Sequence, residues 1–453
     1  MFDKEIFKAD LMSFLKESIP ICKNHSRSLI IEELKQPIFF PNGKYKKFTF
    51  IEKSNYDFFV TRTLKNEIVN LKEYKILLKF FVTKEFKNYN SKLLSTSYEN
   101  ISPQPNFANE LPLKFLVEYL ENNKSFSINK KVFEKVFESF FSFFENLLED
   151  EYVTPIFNFE SDIPKLGITI NDITLRKINE TEFSIFSNLE ENVHLSNVFH
   201  NLTHVMTIHH SSTDLNSGYE IIKEKFQRLQ DSLSLLKDGN PRLGGIYRNI
   251  NNPWIHYDSK YEVEVAAKNP LIMKKTEKKL VTQIYDGLNL IDFSHKGNKF
   301  LDIAKKRFVT ALSRTSKIDQ LIDLMISLES LYVSSPGEIT VRLSNRMATV
   351  LGKNHADRED LWKFTKKVYN MRSGIVHGEG LRSTEINGKT YTLDEIIQKL
   401  VQLNRQSILV FIKLVTHYDE NNKIDKISDD IDKSLINRNF LQEFRKKFKE
   451  SKI

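Results

Sequence analysis

From about Lys296 onward the sequence follows an almost unbroken helical pattern, and no other feature constrains the fold as strongly. Apolar residues recur there at spacings of three and four, which places them on one face of a helix. A Ser-x-x-Asp pattern at 316–319 and a Thr-x-x-Glu pattern at 392–395 are typical of helix N-termini, and Ser-Ser-Pro-Gly at 334–337 interrupts the pattern. Five helices with short connections are therefore predicted, which indicates a helical bundle. They cover approximately 299–312, 316–332, 338–351, 357–371 and 392–417.

The residues before Lys296 combine strand and helix signals. Asn42-Gly43 between two short apolar runs predicts a β-hairpin, and the alternation over 166–175 predicts strands. The apolar run KILLKFFV at 75–82 predicts a buried strand, and the region 244–265 predicts two or three more. Phenylalanines repeated every three or four residues over 132–148 predict an amphipathic helix.

The fold class expected from these patterns is an α+β N-terminal region followed by an all-α C-terminal helical bundle. At roughly 150 residues per domain, a chain of 453 residues corresponds to two or three domains. We expect an N-terminal α/β region with a sensing or regulatory role over 1–150. A second α+β block over 151–295 is either separate from the first or continuous with it, and the bundle occupies 296–453.

Composition narrows the setting in which the protein works. Its hydrophobic fraction of 40% is enough for real cores, and its single cysteine, Cys22, can form neither an internal disulfide nor a cysteine-based zinc site. The chain has no run of 18 uncharged apolar residues, and its N-terminus lacks the pattern of a signal peptide. We therefore expect a cytoplasmic protein that does not enter a membrane.

Positive charge is concentrated in the C-terminal third. The net charge is +8, from 67 basic and 59 acidic residues. Residues 296–453 hold 29 basic and 20 acidic side chains, so the preceding residues hold 38 and 39. A basic module on a neutral body fits a polyanionic partner such as RNA. A lysine-rich composition with solvated helix faces accounts for the same numbers.

The segment RSGIVH at 372–377 carries the most informative chemistry. The preceding helix is predicted to end near Met371, after which Gly374 frees the backbone. The guanidinium of Arg372 and the imidazole of His377 can then converge at the helix end. A structural arginine and a surface histidine are the alternative, because this spacing also arises by chance.

An arginine and a histidine suffice to cleave RNA, which carries its own nucleophile in the 2′-hydroxyl group. The histidine can take the 2′-hydroxyl proton or protonate the leaving 5′-oxygen. The arginine can hold the phosphate with two hydrogen bonds and stabilise the charge that develops on its oxygens. The products would be a 2′,3′-cyclic phosphate and a 5′-hydroxyl end, and no metal or other cofactor is needed.

The C-terminal region resembles the HEPN superfamily, and within it the ApeA-like HEPN domains. The likeness covers about 299–417, a quarter of the chain. It rests on YNMRSGIVHG at 369–378, DLMISLESLYV at 323–333 and EITVRLSNRMATVLG at 338–352. The residues LGITINDITLRKINETEF and LLKDGNPRLGG of the middle block are loosely similar to what precedes such domains.

The resemblance implies both a mechanism and a biological role. It implies that Arg372 and His377 are the catalytic pair and that Ser373 is the polar residue that usually follows the arginine in active members. It further implies a homodimer through the bundle and a role as a toxin in antiphage defence by abortive infection. The N-terminal region would then sense a phage-derived trigger or restrain the nuclease.

Other residues are candidates for supporting roles. Glu329 falls on the apolar stripe of its helix, where a carboxylate needs a partner, so it either orients Arg372 or clamps two helices as an ion pair. Five basic side chains could contact RNA or simply form solvated helix faces. They are Arg342, Arg346, Lys363, Lys366 and Lys367.

Histidines in the middle block raise the question of a metal site. His200 and His204 are expected four residues apart on one helix face, with His194, His209 and His210 nearby. The sequence HNLTH lacks the glutamate of the HExxH metalloprotease motif, and no acidic cluster flanks it. We therefore expect no metal.

The function that these observations favour is a metal-independent endoribonuclease. Its expected partners are RNA, with tRNA as one candidate, and a second copy of the chain. The alternative is a non-catalytic module that dimerises or binds RNA, in which Arg372 and His377 are structural.

Overall fold

The computed structural model describes most of the chain. The described ranges are 3–39, 45–80, 107–145, 149–163, 167–179, 182–183, 186, 202–211, 215–248, 270–334, 337–378, 385–386, 388–419 and 426–450.

Thirteen helices of eight residues or more are assigned in these ranges. They are α1 Lys4–Asn24, α2 Lys72–Phe80, α3 Phe107–Asn123, α4 Lys130–Glu145, α5 Leu215–Leu236, α6 Lys278–Leu290, α7 Lys299–Ser313, α8 Lys317–Tyr332, α9 Ile339–Leu351, α10 His355–Val376, α11 Leu393–Asp419, α12 Ile427–Ile436 and α13 Arg438–Glu450.

The strands in the same ranges lie mainly in the first half of the chain. They are β1 Ile31–Phe39, β2 Tyr45–Ser54, β3 Glu149–Phe157, β4 Phe159–Ser161, β5 Ile168–Ile170, β6 Ile173–Lys177, β7 His204–Ser211, β8 Arg242–Leu243, β9 Tyr247–Arg248, β10 Leu271–Met273, β11 Glu385–Ile386 and β12 Lys389–Thr390. The predicted order, an α+β N-terminal region followed by a largely helical C-terminal region, is confirmed.

The chain divides into two compact units. Unit one comprises Met1–Pro155, Lys165–Lys225 and Gly244–Val263, and unit two comprises Ile156–Pro164, Phe226–Leu243 and Glu264–Ile453. The block 151–295 thus contributes residues to both units.

Unit one contains a helical core and a sheet. The β1–β2 hairpin is antiparallel, as predicted, although its Asn42-Gly43 turn lies outside the described residues. Strands β5 and β6 pair with Ile168 opposite Leu175, and the sheet continues through β7 to β3, with β9 also on β3. The phenylalanine-rich helix is confirmed as α4, whose Phe133 and Phe137 are buried in the helical core.

The predicted strand over 75–82 is wrong, because residues 72–80 form helix α2. Tyr74 and Leu77 are buried three residues apart, while Lys75 and Lys79 are exposed four residues apart. This is the repeat of an amphipathic helix, and the apolar letters between the lysines concealed it. In the region 244–265, the described residues contain only the short strand β9, and 249–269 lie outside them.

Unit two is built on the predicted helices. All five are present as α7 to α11, and the start signals act as expected. Ser316 Oγ accepts a hydrogen bond from the Asp319 backbone N–H at 3.3 Å. Thr392 and Glu395 form a complete capping box, with bonds of 2.7 Å from Thr392 N to Glu395 Oε2 and 3.2 Å from Glu395 N to Thr392 Oγ1.

The core of unit two also contains residues from four helices that were not predicted as part of the bundle. It includes Leu235 from α5, Ile284 from α6, Ile431 from α12 and Phe444 from α13. Among the described helices, none combines the length and the apolar character needed to cross a membrane.

Candidate functional site

Helix α10 runs without interruption through the RSGIVH segment. It ends at Val376, and the backbone N–H of His377 donates to the carbonyl of Ser373 at 3.0 Å. The chain leaves the helix only at Gly378, whose φ of +79° is the left-handed conformation that glycine commonly supplies after a helix.

The expected helix end near Met371 is therefore wrong, and Gly374 lies buried inside the helix. The apolar seam explains the extra turn. Leu361, Phe364, Val368 and Met371 are buried along it, and Ile375, four residues after Met371, also packs against the core. One helical glycine costs only about 1 kcal/mol relative to alanine, which this packing outweighs.

Because the helix is continuous, the side chains of Arg372 and His377 point in different directions around its axis. At 3.6 residues per turn, five residues correspond to about 140° around the axis and about 7.5 Å along it. Arg372 is half-buried, whereas His377 is exposed at the helix end. Within one chain, the two side chains thus project from different faces of α10.

The structure brings Arg372 to Glu329 of helix α8. Arg372 Nε lies 3.8 Å from Glu329 Oε1, and the two side chains are 22% and 20% exposed. This distance is too long for a hydrogen bond. Both atoms are sealed from solvent, and neither has a hydrogen-bond partner among the described residues. The two groups therefore face each other as an open ion pair.

Burial raises the pKa of the Glu329 carboxyl group, and the positive charge of Arg372 offsets only part of that increase. Removal from water disfavours the charged carboxylate, and an unbonded guanidinium compensates less than a closed salt bridge would. The cost of ionising the half-buried Glu329 carboxyl group is thus only partly offset by the charge of Arg372.

The outer end of Arg372 remains available. Of its three side-chain nitrogens, only Nε is sealed, and no residue in the described part of the chain accepts a hydrogen bond from Nη1 or Nη2. A planar guanidinium with both terminal nitrogens free matches two oxygens of a phosphate. The terminal nitrogens of Arg372 can therefore bind an anion, while Glu329 lies next to Nε on the inner side of the guanidinium.

Sequence reasoning missed Tyr369 as a member of this group. It precedes Arg372 by three residues on α10, and residues at that spacing are neighbours on a helix surface. Burial and Glu329 raise the pKa of Tyr369, while Arg372 lowers it, so the phenol lies within electrostatic reach of both. The i, i+3 spacing from Arg372 was the available signal.

Arg346, a candidate RNA contact, is buried and bonded to other residues of the chain. It is 5% exposed, and its guanidinium bonds both oxygens of Asp432 at 2.7 Å. It also donates to the carbonyl of Tyr332 at 2.7 Å. These bonds tie α9 to α12 and to the end of α8, so the guanidinium is engaged within the chain.

The other four basic candidates for RNA contact are more exposed than Arg346. Lys363 is paired with Glu359 at 2.7 Å, and Lys366 lies 4.9 Å from the centre of the Trp362 ring. Lys367 and Arg342 are half-buried. Ser373 is also half-buried, and its carbonyl takes part in the helix end described above.

The predicted helix bearing His200 and His204 is wrong at His204, the one of the two that lies within the described residues. His204 begins strand β7, is 2% exposed, and its Nδ1 lies 2.7 Å from Thr203 Oγ1. Burial, together with Lys177, lowers the pKa of His204 to about 3. His194 and His200 lie outside the described residues. Within the part of the chain that is described, histidines, cysteines and acids form no group suited to hold a metal ion.

Comparison with protein-family models, with curated proteins and with solved structures finds no match to this chain.

Proposed function

We propose that the protein is a metal-independent endoribonuclease of the HEPN type. The observation that carries the proposal is Arg372, whose terminal nitrogens are open to solvent, whose Nε faces Glu329, and which lies five residues before an exposed histidine at a helix end. The resemblance of 369–378 to the HEPN motif supports the same conclusion. Incubation of the purified protein with total RNA or tRNA in EDTA, beside a His377→Ala variant, tests it.

Each residue has a defined role in the proposed reaction. Arg372 binds the scissile phosphate and stabilises negative charge on its non-bridging oxygens. The 2′-oxygen attacks phosphorus, the bond from phosphorus to the 5′-oxygen breaks, and His377 moves a proton at one of these two oxygens. The 2′-hydroxyl loses one proton and the 5′-oxygen gains one; His377 carries out one of these transfers and water the other, so the products are a cyclic phosphate and a 5′-hydroxyl.

We further propose that the active form is a homodimer joined through the helical bundle. The different directions of Arg372 and His377 on α10 support this arrangement, because a second copy related by a two-fold axis can supply the missing partner. Val376 offers exposed apolar surface beside the motif. The basic excess of 296–453, including Lys363, Lys366 and Lys367, would then line a shared cleft for RNA.

Mixing two inactive variants should restore activity if the site is shared. Heterodimers of Arg372→Ala and His377→Ala chains would contain one intact composite site, so random assortment predicts about a quarter of the parent activity. Light scattering should report about twice 53.2 kDa. The control is the same mixture made with an Arg372→Ala/His377→Ala double variant, which should remain inactive. A monomer that cleaves RNA at the full rate would refute the shared site.

Glu329 is proposed as a positioning residue for Arg372. Its raised pKa means that the charged carboxylate is disfavoured in the folded protein. The stabilising contribution of this group is complete below its unfolded pKa and is lost as the pH rises through its folded pKa. The half-buried position of this carboxyl group therefore costs stability as the pH rises towards neutrality, as functional sites often do.

Glu329→Gln should separate stability from activity. The variant is expected to melt at or above the parent temperature at neutral pH, with the difference growing as the pH rises from 4 towards neutrality. Its cleavage rate should fall by about 10²-fold, because a displaced Arg372 no longer meets the phosphate correctly. Glu443→Gln, an exposed change on α13, is the control. A Glu329→Gln variant that melts lower and cleaves normally would identify Glu329 as a helix clamp.

The biological setting follows from the resemblance. We propose a cytoplasmic toxin of antiphage defence that acts by abortive infection, with a sensing or restraining function in the N-terminal region and no cofactor. The same experiments distinguish the alternative, a non-catalytic RNA-binding or dimerisation module, which would bind or dimerise without cleaving.

A further inference from the structure

Tyr369 is a neighbour of Arg372 on the surface of helix α10. Its ring packs against the core of unit two, and it lies one turn before Arg372 on α10. Residues three apart on a helix are surface neighbours. Glu329 comes from α8, which packs against α10, so two helices contribute to one group of polar side chains.

The hydroxyl group of Tyr369 has no structural use in the described part of the chain. It makes no hydrogen bond there, and its oxygen is not among the polar atoms sealed from solvent. The electrostatic influence of Glu329 and Arg372 on its pKa indicates that it lies near both. Because that pKa is raised above its usual value of 10, the phenol is protonated at neutral pH and can donate a hydrogen bond.

Three side chains therefore present unused polar atoms from one place. Arg372 offers two terminal nitrogens, Tyr369 offers an O–H group, and Glu329 faces the guanidinium from behind. These donors are open to solvent and no residue in the described part of the chain accepts a hydrogen bond from them, so a ligand that accepts hydrogen bonds can reach them together. Two N–H groups and one O–H group suit an anion with several oxygens.

We propose that Tyr369 is a substrate-contact residue, whose hydroxyl donates a hydrogen bond to a non-bridging oxygen of the phosphate that Arg372 holds. This inference rests on the proposed function, since the phosphate is that of the scissile RNA linkage. The ring stabilises the core, and the hydroxyl serves the site. The two roles can be separated, because phenylalanine keeps the ring and removes only the hydroxyl.

Tyr369→Phe should lower kcat/KM for RNA cleavage by about 10- to 100-fold, the usual effect of losing one hydrogen bond to a charged group. It should also weaken the binding of an oligonucleotide made uncleavable by a 2′-deoxy sugar at the scissile position. The melting temperature should stay that of the parent. Tyr391→Phe is the matched control, because Tyr391 is another partly buried tyrosine packed against the same core.

A neutral phosphate isolates the proposed contact. In uncleavable oligonucleotides with a stereochemically pure methylphosphonate at the scissile position, the diastereomer that carries the methyl group in place of the contacted oxygen should largely remove the difference in Kd between Tyr369→Phe and the parent. If the difference persists with both diastereomers, the hydroxyl contacts another part of the RNA and the proposal is overturned. If Tyr369→Phe equals the parent in cleavage and in binding, it is overturned as well.

Failure of the proposed function gives a different result. In that case the parent leaves RNA intact in EDTA, while the binding comparison with the charged and neutral oligonucleotides still reports on Tyr369. A parent that neither cleaves nor binds these oligonucleotides would overturn both proposals together. Normal cleavage by the parent with an unaffected Tyr369→Phe variant would overturn only the role of Tyr369.

Discussion

Alanine at His377 or at Arg372 is expected to abolish RNA cleavage while the protein remains folded. Loss of a general acid or base costs about 10²- to 10⁴-fold in rate, and loss of a group that stabilises transition-state charge costs about 10²- to 10³-fold. Neither side chain lies in the core: His377 is exposed, and Arg372 makes no hydrogen bond with the described residues. His377→Ala should therefore leave stability nearly unchanged, whereas Arg372→Ala should lower it modestly without unfolding the protein, because Glu329 loses the charge that partly compensates its burial.

The measurement is cleavage of total RNA or tRNA, followed on gels, beside thermal melting of each variant. His355→Ala is the control for histidine, because His355 is an exposed histidine at the opposite end of α10. Arg438→Ala, at an exposed position on α13, is the control for arginine. If both site variants cleave like the parent, the nuclease site is elsewhere or absent. If both unfold, the structural interpretation of the pair is correct.

A 2′-deoxy sugar at the scissile position should remove cleavage completely, whereas EDTA should leave the rate unchanged. The proposed reaction takes its nucleophile from the substrate, so a strand without that hydroxyl cannot react. The positive charge that a metal would supply comes from Arg372 instead. The 5′ ends should be hydroxyls and the opposite ends cyclic or 3′-phosphates, which enzymatic end-labelling with and without prior phosphatase treatment distinguishes.

The control for this experiment is the same RNA with a 2′-deoxy sugar one nucleotide away from the cleaved linkage, which should be cut normally. A DNA copy of the target should remain intact. Cleavage of that DNA, or loss of RNA cleavage in EDTA, would point to a metal-dependent nuclease. It would also remove the proposed roles of Arg372 and His377.

The local pattern predicted unit two more accurately than unit one. Helix starts such as Thr392 and Glu395 depend on residues three apart, and these appear in the structure as predicted. The run at 75–82 failed because a short apolar segment does not by itself distinguish a buried strand from a helix. Only the packing of Tyr74 and Leu77 against the core of unit one decided for the helix.

The sequence alone determined which chemical groups lie near the end of α10, namely an arginine, a histidine and the tyrosine before them. It could not determine their directions. The helix continues to Val376 because Ile375 packs against the core, Arg372 faces Glu329 across two helices, and Arg346 is closed off by Asp432, 86 residues away in the chain. Local patterns extend over about one helical turn, whereas these contacts join distant segments through packing. The tertiary structure therefore decided that the guanidinium of Arg346 is bonded within the chain while the terminal nitrogens of Arg372 remain open.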